Sequence, residues 1–113
     1  MTEIKEIEDS NFNEFTKSDE IVIVDFWATW CGPCKTLANT LQRHIDRNKR
    51  EVGQHPEISF GKVNIEDCPK AVMDNNIGSV PTMLLYKDGE LVARKSGALS
   101  TPQMDKWIAE SLN

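Results

Sequence analysis

The nearly continuous apolar run from Ile21 to Ala28 ends three residues before Cys31-Gly32-Pro33-Cys34, and this junction constrains the chain more than any other segment. A run of Ile, Val and Phe reads as a central β-strand covered on both faces. The pair behind it opens a helix, since Pro33 is tolerated in a first turn whose N–H groups have no intrahelical partner and its ring presets φ. Gly32 supplies the freedom for a tight strand-to-helix corner and leaves a bare surface where another chain can approach. In a first helical turn the i,i+3 spacing puts both cysteines on one face, with Cα atoms about 5 to 6 Å apart, within disulfide reach. Cys31 then stands where unpaired N–H groups and the positive end of the helix dipole favour a thiolate. The chemistry this suits is dithiol redox exchange, with Cys31 as the outer, activated thiol and Cys34 shielded one turn deeper. Half of a zinc site and an inert structural pair are the alternatives. Zinc needs four ligands, and Cys68, His44 and His55 are scattered single candidates with no second Cys-x-x-Cys or His-x-x-x-His pair.

With 113 residues, 39% of them hydrophobic, the chain suits one compact domain with a real core and is too short for two. Its formal net charge of −5 argues against nucleic acid or an anionic membrane surface as main partner; the basic cluster Arg43, Arg47, Lys49 and Arg50 is local. No stretch of about 18 apolar residues occurs, and the charged start Met1-Thr2-Glu3-Ile4-Lys5-Glu6 lacks the apolar core of a signal peptide. Three cysteines, two in one motif, are poor material for a disulfide scaffold. A cytoplasmic monomer is the expectation.

Alternation suggests a first strand over Thr2 to Ile7, followed by a short helix capped by Ser10 that buries Phe12 and Phe15. After Cys34, Leu37, Leu41 and Ile45 recur at four-residue spacing in a helix ending near Gly53. Ile58 to Ile65 is the next strand, and Pro69 opens a helix behind Asp67-Cys68. Thr82 to Tyr86 and Glu90 to Lys95 form a hairpin through Lys87-Asp88-Gly89. The last helix is expected to have Thr101 as N-cap, Pro102 at its first position, and Met104, Trp107, Ile108 and Leu112 as its apolar stripe. The string β-α-β-α-β-α-β-β-α implies an α/β fold, a sheet covered by helices on both faces with an antiparallel closing hairpin.

These residues resemble the thioredoxin family. The likeness rests on Trp30-Cys31-Gly32-Pro33-Cys34-Lys35, on Ser79-Val80-Pro81-Thr82, similar to the family's cis-proline segment, and on Lys95-Ser96-Gly97-Ala98-Leu99, similar to the glycine-containing segment beside the active site. It implies a single thioredoxin domain over residues 1–113: a five-stranded mixed sheet flanked by four helices. The implied activity is protein-disulfide reduction through a reversible Cys31–Cys34 disulfide, and the Gly-Pro dipeptide resembles the reducing members. The implied partners are disulfide-containing proteins and a separate reductase. No bound cofactor is expected, and no Gly-x-Gly-x-x-Gly occurs. A partner-specific electron donor and a non-catalytic interaction module are the rival readings.

The same resemblance assigns Asp25, with Lys62 nearby, to deprotonation of the inner cysteine. A carboxylate within such an apolar run is desolvated, which raises its pKa; the plain alternative is a structural acid paired with Lys62 or bonded to backbone. The resemblance also makes the Val80–Pro81 bond cis and has the backbone of Val80 pair with an extended substrate. Trp30, Gly32, Pro33, Val80, Pro81, Gly97 and Ala98 then form the docking surface. Trp27 reads as packing beneath the site and Trp107 as core; His44 and His55 receive no role. The chain departs from the family at Asn39, where a helix-kinking proline is usual, and in a longer segment over 47–57. That segment is either a helix extension whose basic residues complement the helix C-terminus or a docking patch. Cys68 is an inert buried thiol or, as a residue at a helix start, a regulatory one.

Overall fold

The computed structural model describes residues 3–50 and 57–113. Among these, the chain runs through β1 (Ile4–Glu6), a 3-10 turn (Asp9–Asn11), α1 (Phe12–Thr16), β2 (Ile21–Trp27), α2 (Gly32–Arg50), β3 (Ile58–Asn64), α3 (Pro69–Asp74), β4 (Thr82–Lys87), β5 (Glu90–Ser96) and α4 (Thr101–Ser111). The strands make one mixed sheet in the order β1-β3-β2-β4-β5. β1, β3 and β2 are parallel neighbours, while β4 runs antiparallel to β2 and β5 to β4. This is the α/β architecture that the element string implied. Thr2 and the helix end near Gly53 lie outside the described residues.

β2 is central and covered on both sides, as its apolar run requires. Ile21 and Ile23 pack with Leu37, Leu41 and Ile45 of α2 and with Met104, Trp107 and Ile108 of α4. Val22, Val24 and Phe26 face the other way, onto Phe12, Phe15 and Ala71. Each fully buried aliphatic side chain contributes about 1.5–3 kcal/mol, so this strand anchors both layers. Gly61 in β3 is a close-approach position: an added Cβ would come within 2.5 Å of the Phe15 ring and 2.8 Å of Ile7. The β4–β5 hairpin turns on Asp88 (φ +52°) and Gly89 (φ +83°), both left-handed as a two-residue turn of this kind demands.

The starts of α1 and α4 differ from the sequence expectation, while α3 begins at Pro69 as expected but is capped from across the fold. Ser10 does not cap α1. Asn11 reaches back to accept the Glu8 N–H at 2.9 Å, which tightens residues 9–11 into a 3-10 turn and delays the α-helix to Phe12. Asp9 instead caps α3 across the fold, accepting from the N–H groups of Lys70 (3.1 Å) and Ala71 (2.8 Å). The cap of α4 is Ser100 rather than Thr101, because Gln103 stands three residues beyond Ser100 and completes a reciprocal capping box.

α2 continues from Gly32 to Arg50, with Asn39 exposed on it. His44, assigned no role from sequence, is buried at the contact between α2 and α4. Its Nδ1 lies 3.1 Å from Asp105 Oδ1 and its Nε2 2.9 Å from Asn48 Nδ2. Arg47 also pairs with Asp105, so it faces α4 instead of standing as a free basic charge. His55 and the middle of the 47–57 segment lie outside the described residues, as do the Lys49 and Arg50 side chains.

Candidate active site

The turn leaving β2 is closed by the Cys31 N–H donating to Ala28 O at 3.2 Å, and α2 begins at the next residue, Gly32. Cys31 thus stands at the cap position rather than inside the first turn. Cys31 and Cys34 are joined as a disulfide, Cα atoms 5.3 Å apart, as the spacing required. The Cys34 N–H, one of the orphan donors of the helix start, points at Cys31 Sγ at 3.1 Å. A thiolate on Cys31 would receive that hydrogen bond and the positive end of the helix dipole.

In the disulfide form, burial does not separate the two cysteines into an outer and a shielded residue. Both residues are 4% exposed, since the closed disulfide is covered by Ala28, Trp27, Ile65 and Val80. The exposed surface beside them comes from Trp30, 69% exposed, with Gly32 and Pro33. An added Cβ on Gly32 would meet nothing within 4 Å, so the backbone there is open to an approaching chain.

Val80–Pro81 is a cis peptide, as the resemblance implied, and Val80 packs against the cysteines. Gly97, at φ +93°, donates its N–H to Pro81 O at 2.9 Å, tying the 97–98 turn to the proline. Ala98 is exposed next to it. Among the described residues, Val80 has no backbone hydrogen bond to another backbone group.

Asp25 lies on the α2 face of β2, because side chains alternate and its neighbours Ile23 and Trp27 point that way. Its carboxyl is pushed up to about 7 by burial, with Lys62 pulling in the opposite direction, and its Oδ1 has no partner among the described residues. Lys62 stands opposite Asp25 in the β2–β3 ladder. No ion pair joins them among the described residues; the ammonium lies 5.5 Å from the centroid of the Trp27 ring. Two contributors were missed in the sequence. Ile65 packs on the cysteines from the end of β3, and its N–H donates to Trp27 O at 3.0 Å. Thr29 donates to Glu66 Oε1 at 3.0 Å, pinning the turn before Trp30. Ile65 was visible as the last apolar residue of its strand, whereas the Thr29–Glu66 pair carries no sequence signal.

Cys68 is 2% exposed, and its thiol donates to Ile7 O at 3.4 Å. Burial pushes the thiol up, and the carboxylates of Asp9, Asp67 and Glu8 add to that push. The helix start therefore does not acidify it, which agrees with the inert buried thiol and speaks against the regulatory alternative.

Comparison with known proteins agrees with this geometry. The thioredoxin family model matches residues 3–110. The chain belongs to the thioredoxin family. It is 37% identical over 114 residues to the thioredoxin of Buchnera aphidicola from Acyrthosiphon pisum, covering all of both chains. It is also 37% identical to the thioredoxin of Rickettsia prowazekii, covering 96% of this chain and 99% of that one. The crystal structure of Malassezia sympodialis thioredoxin superposes with a TM-score of 0.80 at 25% identity, covering 98% of this chain and 93% of that chain. Membership and the Cys31–Cys34 disulfide make this thioredoxin-family chain a thiol–disulfide oxidoreductase that reduces protein disulfides. Disulfide-containing substrates and a reductase partner follow in general terms. Among the described residues, no helix is long and apolar enough to cross a membrane.

Proposed function

We propose that reduction proceeds in two exchanges, with Cys31 as nucleophile and Cys34 as resolving thiol. In the dithiol form the Cys31 thiolate attacks one sulfur of a substrate disulfide. The other sulfur leaves as a thiolate, and a mixed disulfide forms. Cys34, after losing its proton, attacks Cys31 Sγ; the intramolecular disulfide closes and the second substrate thiolate departs. Substrate gains two electrons and the cysteine pair loses them. The observation that carries this assignment is the Cys34 N–H aimed at Cys31 Sγ, a hydrogen bond that would stabilise a thiolate on the first sulfur.

Asp25 accepts the Cys34 proton. A carboxyl held near 7 shares its proton readily at neutral pH, and its side lies under α2, the helix that carries Cys34. Lys62, across the ladder and over Trp27, keeps that carboxyl from rising further. Trp30, Gly32, Pro33, Val80, Pro81, Gly97 and Ala98 receive the substrate, whose extended backbone pairs with that of Val80. The protein acts as a cytoplasmic, monomeric electron carrier recycled by a separate reductase.

Trapping tests the order of attack. Cys34→Ser should accumulate a mixed disulfide through Cys31 when mixed with an oxidised protein substrate, read by intact mass and peptide mapping. A trapped adduct on Cys34 in the Cys31→Ser variant, with none on Cys31 in the Cys34→Ser variant, would reverse the assignment.

A further inference from the structure

The connection from α3 to β4, residues 75–81, delivers Val80 and the cis Pro81 to the cysteines, yet Asn76, Gly78 and Ser79 on it are exposed and add little packing. Its path depends on ties at its two ends. At the tip, the Thr82 hydroxyl donates to Ser79 O at 2.8 Å and the Gly97 N–H to Pro81 O at 2.9 Å. At the root, the Ile77 N–H donates to Val72 O at 3.0 Å. The N–H groups of Asn75 and Asn76 donate to Ala71 O and Met73 O, each at 3.2 Å, and Arg94 adds a tie from outside the helix. Reaching over from β5, its guanidinium donates to Asn75 O at 2.5 Å and to Asn76 O at 3.4 Å. Carbonyls at a helix C-terminus lack intrahelical partners and carry partial negative charge, so a fork of cationic donors suits them. Asn76 has φ +52°, the left-handed turn that takes the chain out of α3 toward Val80. Asn75 is held further by its own side chain, which donates to Ala71 O at 2.8 Å and accepts from the Tyr86 hydroxyl at 3.4 Å.

We infer that Arg94 is a positioning residue for protein substrates: by gripping the root of the 75–81 connection from the edge strand, it holds the Val80 backbone where an extended chain can pair with it. The inference rests on the reading of Val80 as the pairing residue. Arg94 touches neither cysteine, so its loss acts on substrate docking and leaves the sulfur chemistry alone.

The test uses full-length protein with three substrates. One is an extended peptide carrying a disulfide, the second is the same peptide N-methylated beside its cysteine, and the third is a small aromatic disulfide with no backbone to pair. Wild type should show a higher KM for the methylated peptide. Arg94→Ala should raise KM for the unmethylated peptide about five- to tenfold, as expected for losing charge-assisted hydrogen bonds that order a loop. Its kcat and its rate with the small disulfide should stay at wild-type level. Arg94→Lys, with one donor head in place of a fork, should give an intermediate KM, and it decides the matter if the alanine variant does not fold. Wild-type KM in these variants, while wild type still discriminates against the methylated peptide, would overturn the role of Arg94 and leave Val80 pairing intact. Equal KM for both peptides in wild type would overturn the pairing reading and this inference with it. A parallel fall in kcat and in the small-disulfide rate would also overturn it, by showing general damage to the site.

Discussion

Asp25 carries its carboxyl into the apolar layer beneath α2, and a pH dependence follows. The unfolded chain gives up this proton near the ordinary 3.8, the folded chain only near 7. Between those values the folded state binds more protons, so the contribution of this position to stability falls as pH rises from about 4 to 7 and stays low above. Asp25→Asn should therefore gain on wild type with rising pH, by up to about 4 kcal/mol, less the cost of an unpartnered amide. Urea midpoints at pH 5 and pH 8 check the sign. In turnover, the same variant should lose the inflection near pH 7 and slow by up to about a hundredfold, the lower end of what a positioned proton-transfer group contributes. A stopped-flow pH profile of mixed-disulfide resolution reads that directly. Cys68 gives the opposite outcome at the residue scale. Buried and surrounded by carboxylates, it should stay unmodified by iodoacetamide or mild peroxide in the native protein and react only after unfolding. Peptide mapping of the labelled protein decides it.

At the scale of elements, the periodic segments were legible because their burial is one-dimensional: alternation and apolar runs identified β2 to β5 within a residue or two, and four-residue spacing identified α4 and the apolar face of α2. What alternation could not reveal was capping across the fold. Asp9 sits beside Ser10, the residue whose type suggested a cap, yet its carboxylate serves α3, some sixty positions away. Asp9→Ala should cost about 1–2 kcal/mol, measured by chemical denaturation, and loosen α3 ahead of the rest in hydrogen exchange. Ser100→Ala should cost about 1 kcal/mol through the box it forms with Gln103. Gly61 shows the same limit of local reading: as a strand glycine it gave no signal, and only the Phe15 ring pressed over it explains why no side chain fits.

Across the whole molecule, the parallel strands β1, β3 and β2 bring to one end the helix start with Cys31 and the end of β3 with Ile65, and the antiparallel β4 begins there with Pro81 just before it. The cysteine pair and its chemistry were legible from sequence alone because the motif is local. The docking loops and the cis bond came through resemblance, since nothing in composition marks Val80–Pro81 as cis. His44 was illegible because its acidic partner, Asp105, is on a different helix. The central claim is that the Cys31–Cys34 pair reduces protein disulfides. The direct test is dithiothreitol-driven reduction of insulin by metal-free protein, wild type beside Cys31→Ser. Catalysis by wild type with its loss in the variant is the predicted result; a folded wild type without activity, or a variant as active as wild type, would contradict it.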